Sequence, residues 1–189
     1  MKTSTKCSLL GVIFFLIVAQ KSQAYDQRSS EMLEKFISQI AEQFPCFAEI
    51  PLNIDLSTIT ELIEKNADPN VRANQTSSIL LAAHVNDSNL IKLLVDHGAN
   101  TEELHGNVTA LMWASIRGNT NAVIQLLNCG ANINAEEFGA RWTAVMYAAN
   151  NDHLDVTLAL LGHNALINDM TLRVANTRIS ETIRIWISK

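Results

Sequence analysis

At 189 residues, 48% apolar and 17% charged, the chain has room for one ordinary domain or one short repeat array, and enough apolar content to exclude wholesale disorder. Three prolines, seven glycines and no low-complexity tract agree with that reading. The net charge of −5 becomes −8 if residues 1–24 are removed, because 14 basic residues fall to 11 against 19 acidic ones, and such a balance opposes binding through nucleic-acid phosphates.

Residues 1–24 read as a signal peptide. Lys2 and Lys6 give a positive start, Leu9 to Ala19 is an uninterrupted apolar run, and Ser22-Gln23-Ala24 places small residues at the two positions a signal peptidase inspects. The run is shorter than the roughly 20 residues of a membrane span. Cleavage gives a soluble exported chain, periplasmic or secreted, with no membrane segment; an uncleaved signal anchor is the alternative. Cys7 precedes the run, so it is not a lipidation cysteine.

Residues 25–54 are expected to form an amino-terminal capping helix and connector. Ser30 to Phe44 spaces Leu33, Phe36, Ile37, Ile40 and Phe44 at helical intervals, with Glu31, Glu34, Gln39 and Glu42 between them. Pro45 and Pro51 then break the chain, and Asp55 to Asn66 reads as the second helix of an incomplete unit.

Over residues 55–169 two signatures recur in step. Ser77-Ser78-Ile79-Leu80-Leu81-Ala82-Ala83 aligns with Thr109-Ala110-Leu111-Met112-Trp113-Ala114-Ser115, and then with Thr143-Ala144-Val145-Met146-Tyr147-Ala148-Ala149. Lys65-Asn66-Ala67-Asp68, His97-Gly98-Ala99-Asn100, Cys129-Gly130-Ala131-Asn132 and His163-Asn164-Ala165-Leu166 keep the same register. The sequence resembles the ankyrin repeat, a unit of about 33 residues. The resemblance implies an all-α fold: a solenoid of stacked helix-turn-helix units with short β-hairpin-like fingers and degenerate capping units at both ends. A partial first unit is followed by three full units starting near Asn74, Gly106 and Ala140. Ser77, Thr109 and Thr143 are placed to cap the first helix of each unit. Gly98 and Gly130, with Asn66 and Asn164 in the outer units, are placed to end the second helix in the left-handed conformation.

The chain departs from the family's T-P-L-H signature, with Leu80, Met112 and Met146 in the histidine position, so the network that histidine makes is expected to be missing or rebuilt. The third connection is two residues longer than the second, which predicts a longer or bulged finger at Glu136 to Trp142. Residues 170–189 read as a degenerate capping unit, with Leu172 and Ala175 on one helix and Ile179, Ile183, Trp186 and Ile187 on another; a partner-binding helix is the alternative. This tail is basic, holding Arg173, Arg178, Arg184 and Lys189 against Glu181. Cys46 and Cys129 are expected as free thiols.

No hydrolase, zinc or phosphate-binding motif is present, and the expectation is a non-catalytic chain without cofactor or metal. His97 and His163 lie two units apart, too far to share an ion, and His153 sits where the family places a structural histidine. Trp113 and Tyr147 share the slot of Leu81 and are expected to pack in the core. Asn74, Asn86 and Asn107 head glycosylation sequons.

The resemblance also implies a monomer that binds another protein on a concave strip of finger tips and first-helix faces. Carried onto this sequence, the finger positions are Asn74 and Thr76, His105 and Val108, and Phe138, Arg141 and Trp142. The first-helix positions are His84 and Val85, Ile116 and Arg117, and Asn150 and Asn151. Phe138 and Trp142 on the long finger are the sharpest, although Trp142 folding back on Trp113 or Tyr147 is equally open. Alternatives are a structural or protective partner of an enzyme in the same compartment, or a secreted effector or toxin component.

Overall fold

A computed structural model describes residues 25–44, 47–51 and 53–188, so the expected signal peptide and Cys46 lie outside the described residues. Helix α1 (Gln27–Gln43) starts three residues before the expected boundary because the Asp26 side chain accepts the Ser29 N–H at 2.6 Å. Its Leu33, Ile37 and Ile40 are buried as their spacing requires. A short turn at Phe47–Glu49 precedes α2 (Ser57–Glu64), which is trimmed at its start because the Asp55 carboxylate accepts from the Ser57 N–H.

Three helix pairs follow. They are α3 (Ser78–His84) with α4 (Ser88–Asp96), α5 (Ala110–Arg117) with α6 (Thr120–Asn128), and α7 (Ala144–Asn150) with α8 (Leu154–Gly162). The first helices α3, α5 and α7 stack on one another, and so do α4, α6 and α8, so one continuous core runs between the two rows. Ser77, Thr109 and Thr143 each directly precede their helix. Only Thr109 makes the expected capping bond, accepting from the Met112 N–H at 3.3 Å. The buried hydroxyls of Ser77 and Thr143 have no partner, so at those two positions the extended backbone (ψ 164° and 168°) starts the helix without a side-chain cap.

The turns repeat as faithfully as the helices. Asn66, Gly98, Gly130 and Asn164 all hold the expected left-handed backbone, with φ between +64° and +93°. A second left-handed position, between the paired helices, is held by Asn86, Gly118 and Asp152. Beyond each outer helix a polar ladder ties unit to unit. Asp68, Asn100 and Asn132 each accept from the N–H two residues on. The side chains at that next position then reach the following unit: Asn70 accepts from the Asn100 N–H, Glu102 from the Asn132 N–H and Asn134 from the Leu166 N–H, at 2.8–2.9 Å. The ladder satisfies backbone donors that the bend would otherwise leave open.

The first finger pairs β1 (Arg72–Ala73) with β2 (Thr76–Ser77), and the second pairs β3 (Leu104–His105) with β4 (Val108–Thr109), both antiparallel. At the carboxyl end α9 (Asp169–Val174) packs on α7, and α10 (Thr177–Ile187) packs on α8. Ile179 and Ile183 of α10 are buried with Leu161, as expected. Trp186 and Ile187, expected on the same buried face, are exposed together with Ile185: α10 has eleven residues against nine in α8, and its last turn stays in solvent.

Candidate functional site

The fingers and the first helices meet along one face, and the residues there come from several elements of each unit. The third finger has no strand pairing. Its two additional residues are taken up by a closed turn in which the Glu137 N–H donates to the Trp142 carbonyl at 2.8 Å and the Arg141 N–H to the Glu137 carbonyl at 3.1 Å. Gly139 (φ +112°) and Arg141 (φ +56°) supply the left-handed backbone that such a turn needs. Side chains brace it on both sides. The Arg141 guanidinium grips both carboxylate oxygens of Glu136, at 2.6 and 3.3 Å, and that cation holds the Glu136 carboxyl below the usual carboxylate range. The Tyr147 hydroxyl donates to Glu137 at 2.8 Å. Burial, and then the Glu137 carboxylate, push the phenol far up, so Tyr147 stays a protonated donor.

At the apex of this loop Phe138 is 85% exposed, the most exposed large apolar side chain among the described residues. Its carbonyl accepts from Asn107 of the preceding finger at 3.4 Å, which links the two tips. The braced turn thus holds an apolar ring out of the core.

Two aromatic pairs lie behind the tip. Trp142 packs at a tilt of 52° against Tyr147 with ring centroids 5.1 Å apart, and His105 meets the edge of Trp113 at 6.1 Å. Trp142 therefore takes the folded-back position. Trp113 and Tyr147 are half-buried, where their slot predicted core side chains. In the first unit Leu81 fills that slot with no exposure. The bulkier rings outgrow the same space and reach the finger face. Both still pack against the core, as expected, while one part of each ring stays accessible; sequence reasoning missed Glu136 and Glu137 as braces, although the run Glu136-Glu137-Phe138-Gly139 before Arg141 carried that signal.

Two of the expected binding positions are corrected outright. His84 is fully buried. Its Nε2 lies 2.6 Å from the Ile50 carbonyl and its Nδ1 lies 3.0 Å from the Trp113 indole nitrogen, so the indole N–H donates to Nδ1 and Nε2–H donates to Ile50. The signature-histidine positions Leu80, Met112 and Met146 are buried apolar side chains, and His84 makes its two bonds from a different slot. Thr76 is buried too, at 3% exposure, because β2 turns it toward the core.

Among the rest, Asn74, Asn150 and Asn151 are exposed, and Val85, Val108, Ile116 and Arg117 are half-buried. Asn151 reaches the Ile116 carbonyl at 3.5 Å. His105, expected as an exposed side chain, is half-buried, with Nδ1 3.2 Å from the Gln75 carbonyl of the first finger. His153 bonds the Ile116 carbonyl through Nε2 at 3.0 Å, and Asn119, one unit earlier, donates to the carbonyls of Ala83 and His84. These side chains close the open ends of the preceding first helix. Cys129 is a free, half-buried thiol that accepts from Gln125. Among the described residues no three His, Cys, Asp or Glu side chains gather as metal ligands.

The family model for ankyrin repeats in three copies matches residues 50–137 and 107–171. Over 138 residues, 70% of this chain, the sequence is 35% identical to the mouse ankyrin repeat, SAM and basic leucine zipper domain-containing protein 1. Over 123 residues, 63% of this chain, it is 32% identical to a putative ankyrin repeat protein of fowlpox virus. The chain spans 29% and 35% of those two proteins' lengths.

Proposed function

The chain belongs to the ankyrin-repeat family, whose repeats serve as protein–protein interaction modules, and on that premise we propose that it binds a partner protein outside the cytoplasm through its finger and first-helix face. The observation that carries the binding face is Phe138, 85% exposed on a turn braced by Glu136, Arg141, Glu137 and Tyr147. Holding the ring in place before contact lowers the ordering cost of association, and apolar anchors of this type concentrate binding energy. Hydrogen bonds on the face join side chains into structural braces, which suits a surface held ready for binding.

Phe138→Ala is expected to weaken capture of the partner by tenfold or more while the melting temperature stays within about 2 °C, since a solvent-exposed ring contributes little to folding. Quantitative pull-down with the wild-type and variant full-length chains, beside thermal denaturation, checks both. Unchanged capture moves the binding face elsewhere. The extracytoplasmic setting rests on Lys2, Lys6, the Leu9 to Ala19 run and Ser22-Gln23-Ala24. Intact mass of the protein recovered from its own cells is expected to show a chain beginning at Tyr25 in the periplasm or medium. A chain recovered only in the cytoplasm, with residues 1–24 retained, would remove export from the reading.

A further inference from the structure

Helix α10 ends on a turn that the packing of the chain does not use. Ile179 and Ile183 are buried in a cluster with Ala149 and Leu161. The turn that follows is left in solvent, with Ile185 60%, Trp186 43% and Ile187 58% exposed in three consecutive positions. Successive helical residues point about 100° apart, so these side chains look to three different sides of the helix. A protein groove takes one stripe of a helix, at positions i, i+3, i+4 and i+7, and α10 already uses its stripe on the core. An apolar medium into which the turn dips covers all three sides at once.

Charge narrows the choice of medium. Residues 25–169 hold 18 acidic and 7 basic side chains, whereas residues 170–189 hold Arg173, Arg178, Arg184 and Lys189 against Glu181 alone. Arg178 is engaged by Asp152 at 2.8 Å, which fixes the start of α10 to the third unit. Arg173 and Arg184 are exposed and make no ion pair among the described residues, and Arg184 directly precedes the apolar turn. An anionic surface attracts this end and repels the acidic body, so the molecule approaches it with α10 leading. Tryptophan, isoleucine and a neighbouring cation are the side chains that an interfacial helix places at the boundary of headgroups and acyl chains. A second copy meeting this turn about a twofold axis would bring two basic ends together, which like-charge repulsion opposes.

We infer that the last turn of α10 is a membrane-contact site, with Ile185, Trp186 and Ile187 entering the interface of an anionic lipid bilayer and Arg184 holding its headgroup phosphates. The site is separate from the finger and first-helix face, because α10 packs on α8 in the row of second helices. It would hold the repeats at a lipid surface while that face stays available to a protein.

The test titrates the full-length chain with vesicles of phosphatidylcholine, alone or with about 30% phosphatidylglycerol, whose brominated acyl chains quench a tryptophan that enters the bilayer. Emission is expected to be quenched by the anionic vesicles, saturating at about 0.1–1 mM lipid, the range of a single marginal anchor. Neutral vesicles are expected to act at least about tenfold more weakly, and so are anionic vesicles on Arg184→Glu, which reverses a charge at the headgroups. Ile185→Ser combined with Ile187→Ser is expected to weaken the response about tenfold, and circular dichroism checks that the helices remain. Trp186→Phe should keep sedimentation with anionic vesicles within about twofold yet lose the quenching, since Trp113 and Trp142 stand on the finger face. The apolar run Leu9 to Ala19 contains no tryptophan, so vesicle binding through it alone leaves the emission unquenched. Absence of quenching, quenching that persists in Trp186→Phe, equal response to neutral and anionic vesicles, or serine variants that respond like the wild type each overturns the inference. So does a concentration-dependent dimer, seen by light scattering and abolished by the two serines, because a second copy then covers the turn.

Discussion

Replacing His84 by alanine is expected to lower the melting temperature by about 6–12 °C. The side chain has no exposure, and both ring nitrogens are used, one on the Ile50 carbonyl and one on the Trp113 indole. Truncation leaves a buried acceptor and a half-buried donor without partners and opens a cavity between the amino-terminal connector and α5. Lost bonds and a cavity of this size together amount to about 3 kcal/mol, and a domain of this length shifts about 2–4 °C per kcal/mol. Differential scanning calorimetry of the variant measures it. A drop under about 2 °C would show that the connector carrying Ile50 is not held against the repeats through this ring.

Acid should do part of the same damage. Burial pushes the His84 pKa down, the Ile50 bond opposes this, and the Arg117 guanidinium adds to the fall. A protonated ring would also turn an N–H on Nδ1 toward the Trp113 N–H, setting donor against donor. Because the folded-state pKa lies below that of the unfolded chain, the unfolded state binds more protons between the two values, so stability falls as pH falls in that window. The contribution is whole above the unfolded value of about 6.5 and is lost as pH drops from there through the folded value. Asp26, Asp55, Glu61, Glu136 and Asp152, whose pKa values are lowered by their own hydrogen bonds, lose theirs only at more acid pH. Melting curves at pH 7.5, 6.0 and 5.0 are therefore expected to show a decline in the wild type that is much reduced in His84→Ala. Parallel declines would mean that another group titrates.

The repeat was legible in the sequence because its constraints are local and periodic. A small pair such as Ala82-Ala83 is needed wherever helices approach closely, and a residue tolerant of positive φ is needed at Gly98 and its equivalents, whatever the rest of the chain does. The polar ladder was written with the same period in Asp68, Asn100 and Asn132, and in Asn70, Glu102 and Asn134, yet its function lies between units and appears only when they are stacked. The site was less legible. How far a core-packed side chain stays covered depends on its volume against a fixed spacing, which is why Leu81 is wholly inside while Trp113 and Tyr147 pack on the core and remain partly accessible. His84 inverts the lesson. Its slot on the first helix predicted exposure, but Ile50, more than thirty residues upstream, folds over it, a contact that no periodicity encodes.

The last prediction separates two causes that usually travel together at a glycine. Gly118 ends α5 in the left-handed conformation (φ +74°), and a Cβ built there would lie 2.6 Å from Nδ1 and 2.7 Å from Cε1 of His153. Gly130 has a similar φ of +85°, yet a Cβ there meets nothing within 4 Å. Alanine at Gly130 should therefore cost only the left-handed strain, about 1 kcal/mol. Alanine at Gly118 carries the same strain and must also displace the imidazole from the Ile116 carbonyl that it bonds at 3.0 Å, so about 3 kcal/mol is expected. The start of α8, where the His153 carbonyl accepts from Thr157, holds the backbone, so the ring clears the methyl only by rotating away from the Ile116 carbonyl. Combining Gly118→Ala with His153→Ala relieves the clash, so the double variant should be more stable than the sum of the two single losses predicts, by at least about 1 kcal/mol in a double-mutant cycle from urea denaturation. Strict additivity, or equal losses at Gly118 and Gly130, would show that backbone strain alone sets the requirement for glycine and that the His153 contact between the second and third units has slack to absorb a methyl group.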